Sequence, residues 1–208
     1  MSDQINAKKI ELPIETKYLD FLYNVIKKEN SEAIISSFSK NLLNQYFEAL
    51  LNSKNIHLYI CELNERSVGY VILSEKPSYL ISNFKKLRIQ ILINLIINLK
   101  IKALLNIFLI ICKIDLVLLS SEKRNIIDNS YNLNLLAIDR NYQSKGIGRI
   151  FMTYVFENLS KTNKLNYLTV ETNNERTGRF YEKKLGFTYF GKKIRFFKFQ
   201  KIYKKNFI

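Results

Sequence analysis

Histidine occurs once in the 208 residues, at His57, so a multi-histidine metal site is excluded and no serine–histidine–aspartate relay is apparent. Cysteine occurs twice, at Cys61 and Cys112, which is no disulfide framework. Both read as small core residues, Cys61 in a strand and Cys112 in an apolar run. Proline also occurs twice and glycine six times, so a glycine pair at a helix entrance is informative in this chain. The opening residues, MSDQINAKKIELPIE, have no apolar signal core, and the expectation is a cytoplasmic protein. What the chain does have is apolar bulk, at 47% hydrophobic residues, and a formal net charge of +15. The first permits a sizeable core and argues against global disorder. The second favours anionic partners: phosphate groups, anionic lipid headgroups or nucleic acid. No nucleic-acid module emerges from the spacing, and no basic stripe with interleaved aromatics, so nucleic acid is disfavoured.

Periodicity predicts a strand at Ile5–Leu12, then a helix capped by Thr16 with Leu19, Leu22, Tyr23 and Ile26 on one face. A second helix spans Lys40–Leu51. His57–Leu63 and Ser67–Leu73 form a hairpin through the polar turn Asn64-Glu65-Arg66. Further on, Asn132–Ile138 is a strand, Gly146–Ser160 a helix, Leu165–Glu171 a strand and Asn174–Leu185 a helix. Phe187–Gly191 and Arg195–Tyr203 close the chain as strands. The basic tail Lys192–Lys205 alternates charge with Phe and Tyr, which reads as a strand with one apolar face or as an edge facing phosphate or lipid. Strands alternating with helices define an α/β sheet.

Residues 77–129 break this rhythm with RIQILINLIINLKIKALLNIFLIICKIDLVLL. Lys100, Lys102 and Lys113 interrupt the run, and Asn94, Asn98 and Asn106 add polarity, so a membrane span is not expected. Two readings stay open. One is a long helix or helical pair packed on the domain or on a second subunit. The other is an element lying in a membrane interface, with Lys85, Lys86, Arg88, Lys100 and Lys102 near headgroups.

The segment LLAIDRNYQSKGIGRIFMTYVFENL carries the chemistry. An apolar strand ends at Ile138, a short polar loop follows, and Gln143, Ser144, Lys145, Gly146, Ile147 and Gly148 lead into an amphipathic helix. Amide N–H groups at a helix start have no intrahelical partner, and the helix dipole adds positive potential there. Glycine allows close approach, which makes the site a phosphate cradle. A dinucleotide fingerprint needs a third glycine where Phe151 stands, and the Gly-Lys-Ser/Thr of a P-loop is absent.

Gln143-Ser-Lys-Gly146-Ile-Gly148 resembles the cofactor motif of the GNAT N-acetyltransferase superfamily, Arg/Gln-x-x-Gly-x-Gly/Ala. Leu136–Asp139 is similar to the family's preceding strand. LTVETNNERTGRFYEKKLGF, Leu168–Phe187, is similar to its next strand and helix. The resemblance is close over about residues 131–191 and loose before them, and it does not extend to 77–129. It implies a single acyltransferase domain over 1–208: a mixed central β-sheet splayed between its fourth and fifth strands, with helices on both faces and a long helical insertion.

The resemblance also implies acetyl-CoA as co-substrate and no metal. Leu136, Ala137 and Ile138 would line the pantetheine arm. Amides of Gln143, Ser144, Lys145, Gly146, Ile147, Gly148 and Arg149 would hold the pyrophosphate, and Lys145 would add a charge or lie in solvent. Asn174 would touch the arm or cap its helix. Tyr181 would give a proton to the leaving thiolate, although five steps separate it from Gly186, one more than in the commonest family spelling. No general base is evident: Asn132 and Asn134 cannot take a proton, and Glu62, Glu171 and Asp128 are substitutes. The implied reaction moves an acetyl group to a primary amine of a small molecule or amino-sugar. The alternative is a non-catalytic acyl-CoA-binding or membrane-associated module. Through 77–129 the partners would be the inner face of a membrane or a second copy of the chain.

Overall fold

The computed structural model describes residues 4–31, 33–79, 87–97, 101, 104–105, 108–109, 114–161, 166–195 and 198–207. In chain order the elements are β1 (Ile5–Ile10), α1 (Thr16–Glu29), α2 (Lys40–Leu51), β2 (Ile56–Leu63), β3 (Arg66–Ser74), α3 (Arg88–Ile97), α4 (Ser121–Asp128), β4 (Tyr131–Ile138), α5 (Ile147–Ser160), β5 (Tyr167–Thr172), α6 (Glu175–Leu185), β6 (Thr188–Arg195) and β7 (Lys198–Asn206). The seven strands form one sheet in the order β1-β2-β3-β4-β5-β7-β6. Only β4 and β5 pair in parallel.

The β2–β3 turn bends on Asn64 and Glu65, both at positive φ (49° and 64°), the pair of left-handed residues that a tight hairpin requires. On one sheet face Tyr70, Ile72, Leu58 and Ile60 pack with α1 and α2 through Leu22, Ile26, Leu43 and Phe47. On the other, Val71, Leu73, Leu133, Leu168 and Val170 pack with Phe151, Met152 and Val155 of α5 and Tyr181 and Leu185 of α6.

Local chemistry moves several predicted boundaries. Thr16 is the first residue of α1 rather than its cap; Glu15 holds the capping position without a side-chain bond. Ser39 does cap α2, its Oγ accepting from Leu42 N–H at 3.2 Å. The last two strands run longer than predicted: β6 continues through the basic stretch to Arg195, and β7 extends to Asn206. Lys193 can sit inside the sheet because carboxylates from other elements reach it.

The 77–129 segment is not one long helix. In α3, Ile91 and Leu95 join the core beneath α1 and α2. Farther on, Leu119 and Ile127 pack on Ile202 of β7. Lys85, Lys86, Lys100, Lys102, Cys112 and the side chain of Arg88 lie outside the described residues. Among the described residues no helix is long and apolar enough to cross a membrane.

Candidate functional site

The site begins with a register change. Opposite β3, Ile72 pairs with Leu135 and Leu73 with Leu133, which leaves Asn134 as an extra residue in β4. A bulge of this kind bends its strand and ends pairing. Parallel pairing with β5 stops at the same point: Tyr131, Asn132 and Leu133 face Leu168, Thr169 and Val170, and no pair follows. From Asn134 to Ile138, β4 bonds to β3 only, so its alternate backbone groups point into a gap where β5 has splayed away.

Gly69 lets β3 approach the end of β4, because a Cβ there would run into Ile138 Cδ1 and come within 2.9 Å of Ala137 O. Leu136 and Ile138 lean toward the α5–α6 face, and Ala137 toward the α1–α2 face.

Beyond β4 the chain makes a short turn, Arg140–Tyr142, and enters α5 through Ser144 and Gly146, both left-handed (φ 64° and 80°). Gly146 is the N-cap of α5, and a Cβ there would meet nothing within 4 Å, so backbone conformation, not space, calls for glycine. Gly148 differs: its φ is ordinary, and a Cβ would make plain contacts with Phe180 at 3.5 Å and Ile138 at 3.6 Å.

Two of the amides expected to face phosphate are already engaged. Gln143 N–H donates to Arg140 O (3.3 Å), and Arg149 N–H donates to Gly146 O (3.0 Å). The amides of Ser144, Lys145, Gly146, Ile147 and Gly148 make no such bond, so the donor run narrows to these. Alternating left-handed residues converge such amides into an anion-binding concavity, and the start of α5 adds its dipole.

The Gln143 side chain turns inward, its Nε2 donating to Ile138 O (2.8 Å) and to Glu29 Oε2 (3.2 Å). Cations ring the loop. Arg176 Nη2 donates to Ser144 Oγ at 2.7 Å. Lys145 Nζ and the Arg66 guanidinium lie 5.5 and 5.9 Å from the centre of the Tyr142 ring. Glu29, whose side chain is 8% exposed, and Arg176 escape a reading of the sequence. Glu29 reaches Gln143 across 114 residues, and the role of Arg176 depends on how α6 sits against the loop.

Asn174 caps α6: its Oδ1 accepts from Thr177 N–H at 3.0 Å. Tyr181 is buried against Phe187 (ring centroids 5.6 Å), Phe180 (5.7 Å) and Tyr203 (6.3 Å), in the same cluster as Leu133 of β4 and Ile147 of α5. Burial pushes its phenol above the ordinary tyrosine range. The N–H groups of Gly186 and Phe187 both reach back to Tyr181 O, which widens the last turn of α6.

On the α1–α2 face, where the splay opens, lies a polar strip. Asn134 Nδ2 donates to Ser74 Oγ (3.0 Å) and Asn132 Nδ2 to Thr169 Oγ1 (3.2 Å). Next to it Glu171 takes Lys193 Nζ at 2.5 Å and Arg195 Nη1 at 3.1 Å, and Asp115 lies 3.7 Å from Lys193. Burial raises the Glu171 pKa, but Arg195 and Lys193 more than offset this, and the carboxylate lies below its usual range. Held by two cations, Glu171 is a poor proton acceptor. Glu62 accepts the Tyr18 hydroxyl at 2.8 Å, and Asp128 is exposed at the end of α4.

A mixed sheet that parts at a bulge in its fourth strand, with a helix N-terminus at the mouth of the gap, is the acetyltransferase architecture. Residues 124–187 match the model of the acetyltransferase (GNAT) family. The whole chain is similar in fold to solved structures. A GNAT-family acetyltransferase from Streptococcus pneumoniae superposes with TM-score 0.58 at 15% identity, over 99% of this chain and 100% of that one. A spermidine N-acetyltransferase from Vibrio cholerae, in complex with CoA and spermine, gives 0.60 at 14% identity over 98% and 95%. The ribosomal-protein-S18-alanine N-acetyltransferase of Escherichia coli gives 0.54 at 12% identity over 98% and 94%. No curated protein matches the chain.

Proposed function

We propose that the protein is an acetyl-CoA-dependent N-acyltransferase that acetylates a primary amine of a small molecule or amino-sugar by direct attack in a ternary complex, as one domain over residues 1–208 into which 77–129 are inserted. The observation that carries this reading is the run of unengaged amides from Ser144 to Gly148, opening beside the unpaired edge of β4. Those amides hold the pyrophosphate, with Arg176 and Lys145 adding charge. The pantetheine arm lies along Leu136–Ile138 and bonds to the exposed strand edge.

A neutral amine enters over the polar strip and attacks the thioester carbonyl. The C–N bond forms, the C–S bond breaks, and the sulfur departs as thiolate. Backbone N–H groups beside the Asn134 bulge stabilise the oxyanion. Tyr181 donates a hydrogen bond to the leaving sulfur and so stabilises the thiolate, its raised pKa keeping the phenol neutral throughout. The amine's own proton leaves through water, since neither Glu62 nor Glu171 is free to take it. We place the protein in the cytoplasm. The outward apolar face of 77–129 gives it a second surface, for a membrane or for another copy of the chain.

Calorimetric titration with acetyl-CoA tests the reading, with Gly146→Glu and Gly148→Glu beside the native chain. Each variant sets a carboxylate where the pyrophosphate lies, and binding should weaken at least about a hundredfold. Thiol release with a panel of amines then reads turnover, and binding without turnover by any amine would favour a non-catalytic acyl-CoA-binding module. Unaltered binding in both folded variants would remove the cradle from the argument.

A further inference from the structure

We infer that α3, with Ile101, Leu105 and Phe108, forms a docking surface for an anionic lipid bilayer, lying in the membrane plane without crossing it. Among the described side chains of α3 only Ile91 and Leu95 are buried, whereas Ile89, Leu92, Ile93, Ile96 and Ile97 face outward, Ile97 being 73% exposed. Ile101, Leu105 and Phe108, helical and spaced at i, i+4 and i+7, are exposed as well. Large apolar side chains exposed together in this way mark an interaction site.

Charge identifies the partner. No Asp or Glu occurs between Glu75 and Asp115, and every charged residue from Lys76 to Lys113 is Lys or Arg. An apolar surface within a segment of purely cationic charge complements acyl chains beneath anionic headgroups. A second copy fits poorly. A twofold interface would bring together two such segments, neither of which contains a carboxylate between Glu75 and Asp115. Charge sets the orientation: Lys100, Lys102 and Lys113 interrupt the apolar run, which opposes a span and favours the interface plane.

This inference extends the second surface named above and is independent of acetyl transfer. The full chain is sedimented with vesicles of phosphatidylcholine, with and without phosphatidylglycerol, at rising salt. Binding is expected to the anionic vesicles, weakening with salt, and to be at least about tenfold lower for the Ile93→Asn/Ile97→Asn variant. Both positions are exposed, so the variant should retain its unfolding midpoint and its acetyl-CoA affinity, which separates failure here from failure of the catalytic reading.

The chain has no tryptophan, so Phe108→Trp supplies a single indole whose emission should shift to the blue on anionic vesicles. Absence of binding to anionic vesicles, equal binding by the Asn variant, or an unshifted indole would overturn the inference. So would a lipid-free dimer that the Asn variant dissociates, which would make the surface a subunit interface.

Discussion

Helices α5 and α3 are both rich in large apolar residues, yet they do opposite things. Along α5 one stripe, Ile147, Phe151, Met152, Val155 and Leu159, is buried, so the helix is fixed from end to end and its N-terminus is held at the splay. In α3 apolar residues fall nearly all round, the core takes two of them, and the rest are left on the surface. Hydrophobicity alone therefore does not commit a helix to a fold; a stripe matched to a sheet face does. The fixed helix can offer its end to a small anion because everything behind that end is rigid, whereas the outward face of α3 is suited to a broad, soft partner.

Five substitutions test this contrast. Phe151→Ala opens a void in the α5–sheet core and should cost about 3–5 kcal/mol, read as a shift of the denaturant midpoint. A loss under 1 kcal/mol would mean that α5 is not the rigid support described. Tyr181→Phe should leave acetyl-CoA affinity unchanged and lower kcat by about a hundredfold. The neutral phenol is the active form and burial raises its pKa, so native activity should not fall as pH rises through about 10 on account of this group. A fall there that the variant lacks would show an unshifted tyrosine.

The two glycines should separate in a smaller range. Gly146→Ala forces alanine to positive φ and should destabilise by about 1–2 kcal/mol. Gly148→Ala fits its surroundings and should stabilise by about 0.5–1 kcal/mol while weakening cofactor binding, a sign reversal that equilibrium unfolding and titration together would detect. Smallest of all, Ile96→Ser should move the unfolding midpoint by less than about 0.5 kcal/mol, in contrast to Phe151.

What was legible in the sequence was local. The spacing of Gln143, Gly146 and Gly148 sits within one turn of chain, and the alternation of strands and helices after Tyr131 is periodic, so the sheet and the loop could be anticipated, while the splay came only with the family resemblance. The bulge at Asn134 could not, because it is a mismatch of register with Ile72 and Leu73, about sixty residues away. Glu29 gave no signal for the same reason. Lys193 read as one charge in an alternating basic strand, yet it is buried, because Glu171 and Asp115 arrive from β5 and from the end of the inserted segment. The engagement of the Gln143 and Arg149 amides also lay beyond sequence, since a motif names residues and not which of their hydrogens are already committed.

The short parallel seam between β4 and β5 has a mechanical consequence. Three residue pairs, Tyr131 to Leu168 through Leu133 to Val170, join a four-stranded plate to a three-stranded one. Such a sheet acts as two panels on a narrow hinge, and any molecule bonding to β4 while resting against α6 becomes a staple across them. Amide hydrogens on both panels should then exchange with solvent more slowly when the gap is filled, and the melting temperature should climb with the logarithm of ligand concentration. Occupancy could thus be followed by exchange and melting before any acceptor amine is known.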